Sequence, residues 1–411
     1  MIKQKQIYLD GAANAPLGKE AVKAMKPYLT AGFCGNANSA HHFGAVADAA
    51  LTKARESIAH SLGVEPDNVL FTSGATESNN CAIKSLAIAE LAKPSHERRM
   101  KIVVSAAEHA SVLSTCDILK PLGFEVIHVK PQRDGQAAWK TMKKAIRKGT
   151  LLVCCMAVNN ETGAKNPVDA IAKAAHSAGA IMLCDVTQAM SLGGKSMLLK
   201  ELYPNVDLFS FSGHKLYGPT GVGCLIKMDN VALPPLMSGG SQEFGLRSGT
   251  SNVAGAVGMA AAMESLRKHD ETQHFTELRN IIIAGTGAWA TDINQGIIPP
   301  INVVKCNCVE GAPNILSLDF SDVIDYPGTL ADAFATEGIA VSAGAACSVD
   351  GGEQSPSHVL LAMGRSERQA RHTVRISFTK FNTKSDAKAF VKVAEKLTKK
   401  FPIQEKKGES R

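Results

Sequence analysis

A lysine suited to nucleophilic chemistry stands at position 215, in the run Phe211-Ser212-Gly213-His214-Lys215-Leu216-Tyr217-Gly218-Pro219. It follows an apolar stretch at 207–210, and the small residues beside it let backbone approach a ligand closely. Burial at such a place lowers the pKa of an amine and makes it a nucleophile. The Ser and His before it suit a phosphate held nearby. A surface lysine would not need such company.

Four other apolar runs end in residues that could join it. The run 68–72 leads into Ser73-Gly74-Ala75-Thr76-Glu77-Ser78 and a helix, which is a phosphate cradle or a plain cap built on Thr76. Residues 101–105 are followed by Glu108-His109 at a helix start, where a histidine serves as catalyst or cap. The run 151–157 ends in Val158-Asn159-Asn160-Glu161-Thr162-Gly163, two amides and an acid that bond a ligand or only a turn. Residues 180–184 deliver Asp185, with Gln188 three residues on. A carboxylate there must meet a cation, either a protonated ring nitrogen or an Arg or Lys of the protein. Far along the chain, Cys347 sits in Ser342-Ala-Gly-Ala-Ala-Cys-Ser-Val-Asp-Gly-Gly-Glu-Gln-Ser355, a loop of small residues closed by Pro356. A thiolate that must swing between two positions fits such a loop better than a buried structural cysteine does.

These residues need a frame. From about residue 67, short apolar runs at 68–72, 101–105, 125–129, 151–157, 180–184, 207–210 and 223–227 alternate with helical patterns at 78–92, 111–122 and 168–178. That alternation predicts an α/β fold with a mainly parallel seven-stranded sheet covered on both faces. Ligands of such sheets bind beyond the carboxyl ends of the strands, which is where the residues above fall. A smaller α+β domain is expected from about 256 to 411, together with residues 1–14, leaving 15–255 as the large domain. Its signals are a helical stretch from Gly255, strand-like runs at 314–320, 340–342 and 375–379, a helix at 385–399, and breaks at Pro299 and Pro300.

Composition excludes other classes. With 411 residues, 45% hydrophobic and 20% charged, the chain reads as globular. The apolar stretch 253–263 is too short to span a bilayer, and no secretory leader is visible, so a cytoplasmic location is expected. The net charge of +7 lies partly in the tail at 395–411, where no aromatic-interleaved basic pattern suggests nucleic acid. Most of the ten cysteines fall in apolar runs and none forms a C-x2-C pair, so neither disulfides nor a metal site are expected.

Taken in order, these segments resemble the class V aminotransferase group of fold-type I pyridoxal 5'-phosphate (PLP) enzymes, specifically its NifS/IscS-type cysteine desulfurases. The resemblance runs from Tyr8-Leu9-Asp10 to about Phe378. It rests on Thr72-Ser-Gly-Ala-Thr-Glu-Ser-Asn79, Val158-Asn-Asn-Glu161, Ser210-Phe-Ser-Gly-His-Lys215 and Arg247-Ser-Gly-Thr250.

The resemblance implies that Lys215 holds PLP as a Schiff base, Asp185 pairs with the ring nitrogen, and His109 stacks on the ring and moves protons. It implies that Gln188 and Asn160 bond near the ring oxygen, with Asn160 also beside the substrate. The phosphate would take the Ala75 amide, Thr76, Ser212 and His214. Thr250 would reach the neighbouring site of a homodimer, Arg375 would clamp the carboxylate of L-cysteine, and Cys347 would take the sulfur as a persulfide, releasing L-alanine. A sulfur-acceptor protein would follow, with iron–sulfur cluster assembly the first expected destination.

Three departures stand out. The chain reads Gly11-Ala-Ala-Asn-Ala-Pro16 where the family carries Thr, and Ala345-Ala346 where Ser-Ala is common. It ends at Phe401-Pro-Ile-Gln and a charged tail, without the extension that meets a scaffold protein in housekeeping members. Selenocysteine lyase and an aminotransferase on the same fold are the competing readings.

Overall fold

The computed structural model describes residues 6–289, 303–344, 349–350 and 353–403. Ala345, Ala346, Cys347, Pro299, Pro300 and the tail beyond 403 lie outside them. Seven strands form the main sheet: β1 (Val69–Thr72), β2 (Lys101–Ser105), β3 (Glu125–Val129), β4 (Thr150–Cys154), β5 (Ile181–Asp185), β6 (Leu208–Ser212) and β7 (Gly223–Lys227). Their order is β1-β7-β6-β5-β4-β2-β3. Only β7 runs antiparallel, pairing with β1 and β6. The expected seven-stranded, mainly parallel sheet is present.

Side chains alternate across the sheet plane with a period of two. Ile102, Val104, Leu152, Leu183 and Leu208 enter one apolar cluster, while Val103, Val153, Met182 and Phe209 enter the other. Both faces are dry along the inner strands, which therefore read as apolar runs, whereas the edge strand β3 is only partly buried. Helix α1 (His42–Leu62) packs with α6 (Val253–Arg267) on one face. Helix α2 (Ala75–Leu91) packs with α3 (Ala110–Asp117) on the other. Between β3 and β4 comes α4 (Trp139–Ala145), which lies against α5 (Val168–Ser177). Helix α5 buries Val168, Ile171, Ala172 and Ala175, the i, i+3, i+4, i+7 stripe.

A third cluster centres on a three-stranded antiparallel sheet, in which β9 (Ile315–Asp319) lies between β8 (Lys305–Cys306) and β10 (Thr373–Ser377). Helix α7 (Thr272–Thr286) and the last helix, α9 (Lys384–Lys400), cover it, with α8 (His358–Ala362) between β9 and α9 in the chain. A capping box between Thr383 and Asp386 starts α9, and Phe390 stacks on Phe334 at 4.6 Å.

The chain's start joins this cluster rather than the large sheet. Ile7–Tyr8 pairs in parallel with Ile339–Ala340, and Leu9 is buried there.

Boundaries differ from expectation at two helices for identifiable reasons. Helix α2 begins three residues earlier than expected, because Gly74 at φ 153° is its N-cap. Thr76 is therefore in the first turn and is not the cap. The helix expected over 111–122 stops at Asp117 and continues as a short 3-10 turn, Lys120–Leu122, because Pro121 has no N–H to extend the ladder. No helix of the described residues is long and apolar enough to cross a membrane.

Candidate active site

Beyond the carboxyl ends of β1, β2, β4, β5 and β6 lies a cavity of about 250 Å³. Ala75, Thr76, His109, Asn160, Asp185, Gln188, Ser212, His214, Lys215 and Arg375 all line it. Ten of the twelve residues named from the sequence thus come together. Of the other two, Thr250 is exposed outside the cavity lining, and Cys347 falls outside the described residues.

Lys215 closes a 3-10 turn, Gly213–Lys215, that follows β6 directly. Its Nζ donates to the carbonyls of Ala12, at 2.6 Å, and Ala13. The small N-terminal turn is what permits this. A Cβ on Gly11 would lie 2.7 Å from Thr379 Cγ2 and 2.9 Å from the Phe378 carbonyl. The residues that depart from the family pattern therefore form the floor under the lysine. Gln188 Nε2 donates to the same Ala12 carbonyl at 3.2 Å.

Asp185, the last residue of β5, is buried and held from both sides. Its Oδ1 accepts from the Thr187 amide at 3.0 Å, and its Oδ2 from Asn79 Nδ2 at 3.3 Å. Asn79 is fixed in turn, donating to Ser111 Oγ at 3.0 Å and accepting from Ser210 Oγ at 2.5 Å. Asp185 forms no ion pair with any described residue, so its carboxylate is available to a cationic ligand. Asn79 closes the motif that starts at Thr72, yet only a helix wheel aimed at the strand ends could have assigned it this task.

His109 proves to be cap and cavity wall at once. Its Nδ1 accepts from the Ser111 amide at 3.1 Å as the N-cap of α3, which leaves Nε2 to carry the proton of the neutral ring. Burial lowers its pKa; the Asp185 carboxylate opposes that, while Lys215 and His358 add to it. His214 falls further, to about 4, through burial first and the Lys215 charge second. Both rings are therefore neutral donors at neutral pH.

At the other end of the cavity, the N-terminus of α2 points its free amides inward. Ala75 N donates to Ser212 Oγ at 2.8 Å, and a Cβ on Gly74 would lie 3.2 Å from that hydroxyl. Amides, hydroxyls and a helix dipole at one spot suit a phosphate.

Arg375 is 2% exposed and reaches across from β10. It donates to Asp10 Oδ1 at 2.7 Å and to the Asn160 carbonyl at 3.0 Å, while its Nε has no partner. A buried guanidinium with a spare donor suits a carboxylate ligand.

The matches to known proteins agree with this geometry. The model of the aminotransferase class-V family fits residues 7–390. The chain belongs to the class-V aminotransferase family. Among class-V relatives, a cysteine desulfurase IscS of Dictyoglomus turgidum is 37% identical over 404 residues, covering 97% of this chain and 95% of that one. A solved NifS-like protein superposes with a TM-score of 0.81 at 32% identity, covering 96% of this chain and 99% of its own. A structure of SspA in complex with cysteine gives 0.75 at 33% identity, covering 92% and 100%. Class-V membership makes the chain an enzyme that depends on PLP, and the donor set fits that group: an amine, a buried acid and a phosphate cradle in one cavity.

Two acids beside the class-V site were not assigned from the sequence. Glu161 is 2% exposed; its Oε2 accepts from Ser357 Oγ, and its Oε1 has no hydrogen-bond partner. It thereby ties the strand-end turn to the start of α8.

Glu108 is 1% exposed and accepts from the Met156 amide at 2.7 Å. Burial pushes its pKa up to about 8; the Met156 bond opposes the rise and the Asp185 charge adds to it. A carboxyl raised in the folded state is protonated there while the unfolded chain ionises, so stability falls as pH rises from about 4.5 to about 8. Glu108→Gln keeps the Met156 bond and removes that loss. Urea denaturation of the cofactor-free proteins should show no difference near pH 4.5. The variant should be more stable by on the order of 5 kcal/mol at pH 8.5. Parallel curves across this window would mean Glu108 is already ionised in place.

Proposed function

We propose that this chain is a cysteine desulfurase that uses PLP to convert L-cysteine to L-alanine and leaves the sulfur as a persulfide on Cys347. The observation that supports this most is that one cavity is lined by both the Lys215 amine and the Arg375 guanidinium. The first suits an aldehyde cofactor and the second the carboxylate of an amino acid.

Bound there, PLP supplies an electron sink for the bonds around the substrate Cα. The chain's residues do the rest. Lys215 anchors the cofactor, Asp185 balances a positive ring nitrogen, and Gln188 and Asn160 donate near the ring oxygen. Ala75, Thr76, Ser212 and His214 hold the phosphate. Arg375 takes the substrate carboxylate beside Asn160, exchanging part of its contact with Asp10. Lys215, once free, carries the Cα proton, and His109 is placed to share that role through Nε2. The Cys347 thiolate attacks the substrate sulfur: an S–S bond forms, the S–Cβ bond breaks, and Cβ keeps the electron pair and takes a proton.

Thr250 is exposed, as are the apolar residues Met237 and Phe244 earlier in the same chain segment, which suits a homodimer in which Thr250 completes the partner's phosphate site. The reaction belongs in the cytoplasm, where reducing conditions keep Cys347 a thiol. The sulfur goes to an acceptor protein, first of all for iron–sulfur cluster assembly.

Incubation with L-cysteine and dithiothreitol should release alanine and sulfide in equal amounts. A keto acid in place of alanine would identify an aminotransferase. Turnover of selenocysteine with none of cysteine would identify a selenocysteine lyase.

A further inference from the structure

Residues 130–148 carry seven basic side chains and one acid, a net +6 in a chain whose total is +7. One loop and α4 thus carry a concentrated excess of positive charge, larger than that of the basic tail at 395–411. Arg133, Lys140, Lys143, Lys144, Arg147 and Lys148 are all exposed, and none forms an ion pair with a described residue. Some exposed lysines elsewhere are matched, as in Lys173–Asp169 and Lys268–Glu264, but no acid of the described residues pairs with any of these six. An unmatched cluster of one sign is a steering field for the opposite sign.

Its position is as telling as its charge. The loop before α4 packs on the strand-end turn of the active site: a Cβ on Gly135 would lie 2.9 Å from Thr162 Oγ1, and Ala137 N donates to Asn166 Oδ1 at 2.7 Å. Thr162 adjoins Glu161, which takes the Ser357 hydroxyl at the start of α8. The far end of α8 returns to the same loop, where Arg365 Nη2 donates to the Arg133 carbonyl at 3.2 Å. The basic face is therefore braced against both ends of the short helix that follows the Cys347 segment.

Resting on the desulfurase reading, we propose that this face docks the sulfur acceptor, an acidic protein that presents a cysteine. The acceptor thiolate attacks the outer sulfur of the Cys347 persulfide; a new S–S bond forms there, and Cys347 Sγ leaves as a thiolate with no net redox change. Nucleic acid has no thiol to accept sulfur in this way, which favours a protein over RNA.

The test uses the holoenzyme and two synthetic peptides, each with one cysteine, flanked by six glutamates in one and six glutamines in the other. Mass spectrometry follows the gain of one sulfur per peptide. The glutamate peptide should react about 10-fold faster at low salt, and the advantage should vanish near 0.5 M salt. A K140E/K143E/R147E variant should lose the advantage while its dithiothreitol-driven alanine formation stays unchanged. Equal rates for the two peptides, with alanine formation intact, would overturn the docking surface alone. So would tight, K140E-sensitive binding of bulk transfer RNA without any peptide preference. Absence of alanine formation in the parent enzyme would overturn the desulfurase reading and the docking surface with it.

Discussion

Replacement of Lys215 by alanine should cut alanine formation from L-cysteine by a factor on the order of 10⁴ or more, the scale on which covalent-catalysis residues act. The variant should still fold, since Lys215 is half-buried in a cavity wall and its Nζ meets the backbone carbonyls of Ala12 and Ala13, which water can satisfy once the amine is gone. A second readout separates anchoring from proton transfer. Borohydride treatment of the parent enzyme loaded with PLP should attach the cofactor to the peptide containing Lys215; the variant should yield no adduct. If added methylamine restores part of the rate, the lysine acts on the proton as well as on the cofactor. An adduct on another lysine would displace Lys215 from its place in the mechanism.

Cys347→Ser should be nearly as costly, by about 10³-fold in alanine formation, with the cofactor adduct on Lys215 intact. That pairing is decisive because the other nine cysteines offer no substitute. Cys34 is exposed but does not line the cavity, and the remaining eight are buried. Burial raises the pKa of Cys154, Cys155, Cys184 and Cys224 well above that of a free thiol. Persulfide detected by mass on Cys347 in the parent, and on no residue in the variant, completes the result. Full turnover by the serine variant would return the chain to the aminotransferase reading.

Most of the sheet was legible because every strand but the edge strand β3 is dry on both faces and so reads as an apolar run. All seven strands lie where those runs fall, including β7, whose antiparallel direction no residue pattern signals. The cavity was legible for a related reason: in a parallel sheet the polar residues that follow each run share one edge. What could not be read was how outer elements close the site. His109 could not be seen as cap and wall together, because both uses need the ring placed against Ser111. Asp185 is steadied, whatever cation it meets, by Asn79, a full helix turn into α2, and no local pattern joins the two. Asp10 and Arg375 lie 365 residues apart, and no local pattern joins them. The basic face has no local sequence signal for its place, because only the folded loop brings it against the strand-end turn.

The N-terminal turn carries one more consequence. Leu9 through Ala13 supply the carbonyls beneath Lys215 and the carboxylate on Arg375, yet Ala12 N bonds Ser377 Oγ and Asn382 Nδ2 bonds the Tyr8 carbonyl. Residues 9–13 thus wait for partners made some 365 positions later in the chain. Contacts of such high sequence separation form late, after the large sheet has organised itself around its own local pairings. Until then the nascent chain has Lys215 and the start of α2 but no floor beneath the lysine and no Asp10–Arg375 pair. The vulnerable period of synthesis is the one in which α7 to α9 are still missing, and in it the proposed desulfurase site is incomplete.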